Sequence, residues 1–163
     1  MKYKIIKNFL DKSTFRKFQQ LVFSEQMIWY WKEHMTRRDN YFFNHCFYNH
    51  MPISSLYMEY IEPIKEKLNW AALMEARANL MIRQPTGAYE SQFHVDRPFP
   101  SSIALLYMNN CNGATILGKE ERISISSEEN KLLLFDSSIK HCAKSQTDVL
   151  RRIDIGLNYF KTP

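Results

Sequence analysis

Residues 151–160 read Arg151-Arg152-Ile153-Asp154-Ile155-Gly156-Leu157-Asn158-Tyr159-Phe160. In an extended chain successive side chains point to opposite faces. Ile153, Ile155, Leu157 and Tyr159 therefore share one face, and Arg152, Asp154, Gly156 and Asn158 share the other. The apolar face predicts packing against helices. The opposite face turns a guanidinium, a carboxylate and an amide inward, which is expensive unless those groups line a site.

Working backward from this strand, short alternating or wholly apolar runs recur between turn residues at 76–83, 90–96, 102–109, 114–117, 122–126, 131–135 and 138–142. Together with 151–160 they make eight predicted strands, with no βαβ alternation among them. The N-terminal part reads differently. A weakly alternating edge strand at 3–9 is followed by the N-cap residues Asp11 and Ser13, and then by Phe15, Phe18, Leu21 and Val22 at helical spacing, predicting a helix over 13–26. Leu56, Tyr57, Tyr60, Ile61, Ile64 and Leu68 predict a second helix over 54–69, with Pro63 placed to kink or shorten it. The stretch 27–51 is aromatic, basic and histidine-rich without a sustained period, and reads as loops and short strands. The expected class is mostly β with N-terminal helices. Closing the strands into a jelly roll hides most of their edges. One domain over 1–163 is expected, with 1–75 supporting a β core over 76–160.

The chain has 163 residues, 45% of them hydrophobic and 14% aromatic, with only 4 Gly and 6 Pro. This is enough to bury a real core, and it argues against disorder. Its formal charge of +5 is concentrated early. Residues 1–40 hold nine Lys/Arg and four Asp/Glu, which leaves 22 − 9 = 13 basic and 17 − 4 = 13 acidic residues elsewhere. That excess reads first as a solvated face, and it does not by itself imply a nucleic-acid partner. Cys46, Cys111 and Cys142 are odd in number and lack CxxC spacing, against a disulfide framework or a thiolate zinc site. The opening residues lack a signal-peptide core, and no apolar run approaches the roughly 18 residues that span a bilayer. A soluble protein of a reducing cytoplasm, with no membrane partner, is expected.

Phe93-His94-Val95-Asp96 lies in a strand-like run, so His94 and Asp96 face the same way. His141 follows the Asp136-Ser137-Ser138 turn and offers a third ligand. Two imidazoles and a carboxylate on one face of an octahedral metal leave three positions open, an arrangement that suits non-haem iron(II). Arg152 stands eleven residues beyond His141, its planar fork suited to a carboxylate. Arg151 is its rival, but alternation sends Arg151 toward the apolar face or its edge.

In these residues the chain resembles the iron(II)- and 2-oxoglutarate-dependent oxygenase superfamily, and within it the prolyl-hydroxylase-like branch, including small versions seen in bacteriophages. The pieces that carry the resemblance are His94-Val95-Asp96, Tyr107-Met108-Asn109, Asn112-Gly113-Ala114-Thr115, Asn130 to Ser137, His141, and Arg152 to Tyr159. Their order and spacing agree over about residues 76–160. The resemblance implies a double-stranded β-helix of cupin-like form. It implies that His94, Asp96 and His141 bind iron(II), that Arg152 pairs with the distal carboxylate of 2-oxoglutarate, and that Tyr107 adds a hydrogen bond there or simply packs in the core. It also implies O2 as co-reactant, a hydroxylated product with release of succinate and CO2, and a cytoplasmic location in a bacterial or phage-infected cell. The substrate is not given; the resemblance suggests a peptidyl proline or other macromolecule, with a peptide or protein expected ahead of a nucleic acid.

Three positions depart from the pattern: Gln84 where a cosubstrate-side Tyr is common, Asn112 in place of a Gly, and Asp154 as a charge beside Arg152. Asp154 leaves open a cupin-like metal protein that uses no 2-oxoglutarate. A second alternative is a non-catalytic module whose Trp29, Tyr30 and Trp31, beside Arg37 and Arg38, stack on nucleic acid. His34, His45 and His50 read as structural or surface residues. Loops 84–92 and 97–101, with 27–51, are expected to form the substrate mouth.

Overall fold

A computed structural model describes residues 2–33 and 41–162. His34, Arg37 and Arg38 lie outside the described residues. The strands are β1 (Tyr3–Ile6), β2 (Tyr30–Glu33), β3 (Tyr41–Asn49), β4 (Trp70–Ile82), β5 (Ser102–Tyr107), β6 (Cys111–Leu117), β7 (Ile123–Ser127), β8 (Lys131–Asp136), β9 (His141–Lys144) and β10 (Arg151–Lys161). They form a seven-stranded sheet in the order β1-β8-β5-β10-β4-β3-β2 and a three-stranded sheet in the order β7-β6-β9. Every recorded pairing is antiparallel, and the arrangement is that of a jelly roll.

The two faces of β10 separate as alternation requires. Ile153, Ile155, Leu157 and Tyr159 are buried with Phe15, Phe18, Leu21 and Val22 of helix α1 (Lys12–Phe23) on the outer side of the large sheet. The register pairs Asp154 with Tyr107, Gly156 with Leu105 and Asn158 with Ile103. Ile103, Leu105 and Tyr107 of β5 pack with Leu117, Ile125, Leu133 and Phe135 as a second core. Strands β5, β8 and β10 are thus largely buried on both faces. Fully burying one large apolar side chain contributes roughly 1.5–3 kcal/mol, so a one-residue slip of β10 would forfeit several such contributions at once.

Helix α1 starts where Asp11 accepts the Thr14 amide at 2.9 Å, and it ends at Ser24, whose N–H returns to Leu21. It is therefore shorter at its C-terminus than the predicted 13–26. Around residues 54–69 the apolar stripe is buried as expected, but the helix is not continuous. It splits into α2 (Tyr57–Tyr60), a 3-10 turn (Glu62–Ile64) and α3 (Lys65–Leu68). Pro63 has no N–H to extend a helical ladder, and its ring crowds the preceding turn. Residues 41–49, expected as loops and short strands, form the nine-residue strand β3.

Residues 90–96 do not form the predicted strand. The chain is extended but pairs with β9 through single bridges at Glu90–Lys144 and His94–His141 and through hydrogen bonds between Ser91 and Ala143, not through a continuous ladder. Pro98 and Pro100 follow at once and cannot donate to a ladder. No described helix is long and apolar enough to cross a membrane, and Cys46, Cys111 and Cys142 are free thiols.

Candidate metal and cosubstrate site

A cavity opens between the two sheets. Its walls are Asn79, Met81, Leu105, Arg152, Asp154, Gly156 and Asn158 of the large sheet and Thr115, His141, Cys142 and Ala143 of the small one, with Tyr89, Ser91, His94 and Asp96 along the rim. The polar face of β10 is thus accounted for, since all four of its inward residues line the cavity.

At the rim, Asp96 Oδ1 lies 3.4 Å from His94 Nε2 and 3.3 Å from His141 Nε2. The ligand atoms of these three residues fall within 4.8 Å of one another. Each imidazole is oriented from behind: His94 Nδ1 meets the Gln92 carbonyl at 3.1 Å and His141 Nδ1 the Ile139 carbonyl at 3.0 Å. A carbonyl can only accept, so the proton of each neutral ring is fixed on Nδ1. Nε2 is left with its lone pair toward the centre, as metal-binding imidazoles require. Asp96 Oδ2 accepts a hydrogen bond from Asn158 Nδ2 at 3.1 Å.

Without a metal, a doubly protonated imidazole instead turns an Nε2–H to Asp96; burial opposes ionisation of Asp96, but such hydrogen bonds from His141 and His94 outweigh it and hold the carboxyl well below its ordinary range. The hydrogen bond with Asp96 likewise raises the His94 pKa against the opposing effect of burial. The side chains of Asp96 and His141 are 12% and 9% exposed, whereas that of His94 is 46% exposed. The cluster is therefore open on the His94 side. Its donor set, orientation and negative charge fit a divalent ion of the iron(II) type.

The far end of the cavity is closed. Arg152 is completely buried. Its Nη1 donates to the carbonyls of Ala114 and Lys144, each at 3.0 Å, and its Nη2 to Thr115 Oγ1 at 3.2 Å. Tyr107 donates its hydroxyl to the same Thr115 oxygen at 2.9 Å, and its ring centroid lies 5.6 Å from the guanidinium carbon. Burial pushes the Tyr107 phenol upward, so it remains a hydrogen-bond donor. Among the described residues Arg152 Nε has no partner. A buried cationic donor left open in a cavity fits the carboxylate of a dicarboxylic ligand. Gly113 makes room for this arginine, because a Cβ there would stand 3.0 Å from Arg152 Cδ and 3.2 Å from the Lys144 carbonyl.

Arg151 is exposed, with its guanidinium over the Phe23 ring, so the alternation places the two arginines as expected. Gln84 turns back to the Ile82 carbonyl, and it is Tyr89 that lines the cavity. Asn112 exchanges side-chain hydrogen bonds with Thr147 and takes Asp148 on its own N–H, pinning the loop before β10. Asp154 Oδ2 lies 3.6 Å from Arg152 Nη2, and Oδ1 accepts from Asn79 Nδ2 at 2.9 Å.

Thr115 and Asn79 carry these contacts without having been singled out as site residues. Asn79 is the one polar residue in Ala78-Asn79-Leu80-Met81-Ile82, an anomaly in a buried strand that points to a cavity. His45 spends both ring nitrogens on the Ile28 carbonyl and the Ser54 hydroxyl, and His50 is exposed. Trp29 packs on the core, whereas Tyr30 and Trp31 are exposed, Trp31 stacking on Tyr41.

No family model matches the sequence, and no curated protein matches it. Solved structures do. A prolyl hydroxylase from Trichoplax adhaerens, in complex with a hypoxia inducible factor oxygen degradation domain peptide fragment, is 17% identical with a TM-score of 0.67, covering 98% of this chain and 83% of that one. A Pseudomonas putida prolyl-4-hydroxylase is 12% identical with a TM-score of 0.69, covering 98% and 92%. An oxidoreductase of the 2OG-Fe(II) oxygenase family from Burkholderia pseudomallei is 7% identical with a TM-score of 0.75, covering 98% and 85%. In its described residues, therefore, the chain is built on the double-stranded β-helix fold that prolyl hydroxylases share with other 2-oxoglutarate-dependent iron(II) oxygenases.

Proposed function

We propose that this chain is a 2-oxoglutarate-dependent iron(II) dioxygenase. The observation that carries the reading is a single cavity with a two-histidine, one-carboxylate cluster at its open rim and a buried, incompletely paired arginine at its closed end. His94, Asp96 and His141 hold the metal. Arg152 receives the distal carboxylate of the cosubstrate, and Tyr107 and Thr115 fix the arginine in place. With 2-oxoglutarate and O2, iron at this position supplies the oxidant that hydroxylates a substrate C–H bond, while the cosubstrate leaves as succinate and CO2. The protein's share of that chemistry is orientation and exclusion of water.

Substrate approaches from the His94 side. A groove lined by Phe42, Asn44, Arg77, Phe93 and Arg97 runs up to His94 and Asp96 there. The Trichoplax adhaerens neighbour is described with a peptide, and a peptide or protein substrate is the reading we carry to this chain.

Anaerobic addition of iron(II) and 2-oxoglutarate is expected to give a weak visible absorption band, and aerobic incubation is expected to release succinate. His94→Ala and His141→Ala are expected to abolish the band. Retention of band and metal affinity in both variants would reject the ligand assignment. One observation favours a metal-binding jelly roll that does not use 2-oxoglutarate: Asp154 already neighbours Arg152. Absence of succinate together with intact metal binding would select that reading.

A further inference from the structure

We propose that Asp154 makes cosubstrate binding proton-coupled: 2-oxoglutarate enters the Arg152 end of the cavity together with one proton taken from solvent by the Asp154 carboxylate. The inference rests on the dioxygenase reading and concerns a residue in which this chain departs from its expected pattern.

A guanidinium has five N–H donors. Both Nη1 donors and one Nη2 donor of Arg152 are spent on Ala114, Lys144 and Thr115. What remains is Nε–H, without a partner among the described residues, and the second Nη2–H. These two share the edge of the guanidinium that receives a carboxylate bidentately. Asp154 does not fill it. At 3.6 Å its Oδ2 is beyond hydrogen-bond length from Nη2, and Asn79 holds its other oxygen. The closed end thus contains one cation, one anion and an empty fork.

A dicarboxylate that fills the fork sets two carboxylates against a single guanidinium. Among the described residues, Arg152 is the only cation within ion-pair distance of Asp154. On β4, Arg77 donates to Glu75. On β5, Tyr107 is a neutral phenol. Lys131 of β8, over the Tyr107 ring, is paired with Glu128, and β6 contributes the Cys111 thiol. Asn79 faces the acid through its amide, and its own Oδ1 is a further acceptor without a partner among the described residues. When two carboxylates share a site, the proton affinity of one is raised. Protonated, Asp154 loses its charge and gains an O–H that can donate to the incoming carboxylate. The proton balance is one carboxylate plus one solvent proton giving one carboxylic acid.

The sign follows from linkage. A complex that holds one more proton than the free protein binds 2-oxoglutarate more weakly as pH rises, by up to about tenfold per pH unit over the range in which the proton is taken up. The test is calorimetry of 2-oxoglutarate binding to the Mn(II)-loaded full chain, between about pH 6 and about pH 8, in buffers of different ionisation enthalpy. Net uptake of about one proton is expected in the parent and none in Asp154→Asn or Asp154→Ala. The variants should bind at least tenfold more tightly at the alkaline end. Subtracting variant from parent cancels any proton exchanged at the histidines. No uptake in the parent, or equal uptake in parent and variants, overturns the proposal. Failure of both the parent and the variants to bind 2-oxoglutarate while binding Mn(II) would instead remove the cosubstrate reading, and this proposal with it.

Discussion

At the open end of the cavity, His94 and Asp96 stand on chain joined to β9 by bridges and the Ser91–Ala143 hydrogen bonds and not by a strand ladder, and nearly half of the His94 side chain faces solvent. At the closed end, Arg152 is wholly buried inside an eleven-residue strand and takes its contacts from β6 and β9. The first end can exchange its contents without moving the sheet. The second is fixed by cross-strand register, so a change there reaches the core. Under the function proposed above, the closed end would select a cosubstrate by charge and shape, and the open end would face the substrate.

The sharpest way to break this comparison is Arg152→Leu. Removing one partner of a buried charged contact costs about 2–5 kcal/mol, so 2-oxoglutarate affinity should fall on the order of a hundredfold or more while Mn(II) affinity survives. Arg151→Leu should alter neither. Titrating both ligands into both variants is decisive, and loss of metal affinity in Arg152→Leu would mean the two ends are not independent.

Asn158→Ala probes the link between the ends, because Asn158 lies on β10 yet donates to Asp96. Loss of such an outer partner costs roughly tenfold or more in metal affinity; an unchanged Mn(II) dissociation constant would show that Asp96 is oriented without it. Tyr107→Phe should have the smallest effect. It removes one donor from Thr115 but leaves the Arg152 contact, and a single hydrogen bond contributes about 1 kcal/mol. A severalfold rise in the 2-oxoglutarate dissociation constant is expected. A hundredfold rise would instead indicate direct contact with the ligand.

The sequence was most readable where structure is local. Alternation in Arg152–Tyr159 separated core from cavity correctly, and the two-residue spacing of His94 and Asp96 placed both at the cavity rim although the strand around them is absent. Strand β3 was not readable. Tyr41-Phe42-Phe43-Asn44-His45-Cys46-Phe47 carries aromatic side chains toward both faces, Phe42 to the cavity and Phe43 and Phe47 to the helix-side core, which erases the two-residue period. The stripe of 54–69 was readable but its continuity was not, since an apolar spacing survives a proline that the backbone ladder does not. Thr115 and Asn79 depend on which strands become neighbours, and that is decided by the sheet as a whole.

The amides of His94 and His141 each donate to the other's carbonyl at 2.9 Å, setting the two rings side by side at 52° with centroids 4.5 Å apart, at the end of a seam fastened further along by Ser91–Ala143 and Tyr89–Ser145 hydrogen bonds. An ion seated between those rings would latch the 90–96 segment to its neighbour. Metal occupancy and order along that edge then become one equilibrium. At a ligand concentration a hundred times the dissociation constant, such a latch adds about 2.7 kcal/mol to the stability of the whole fold.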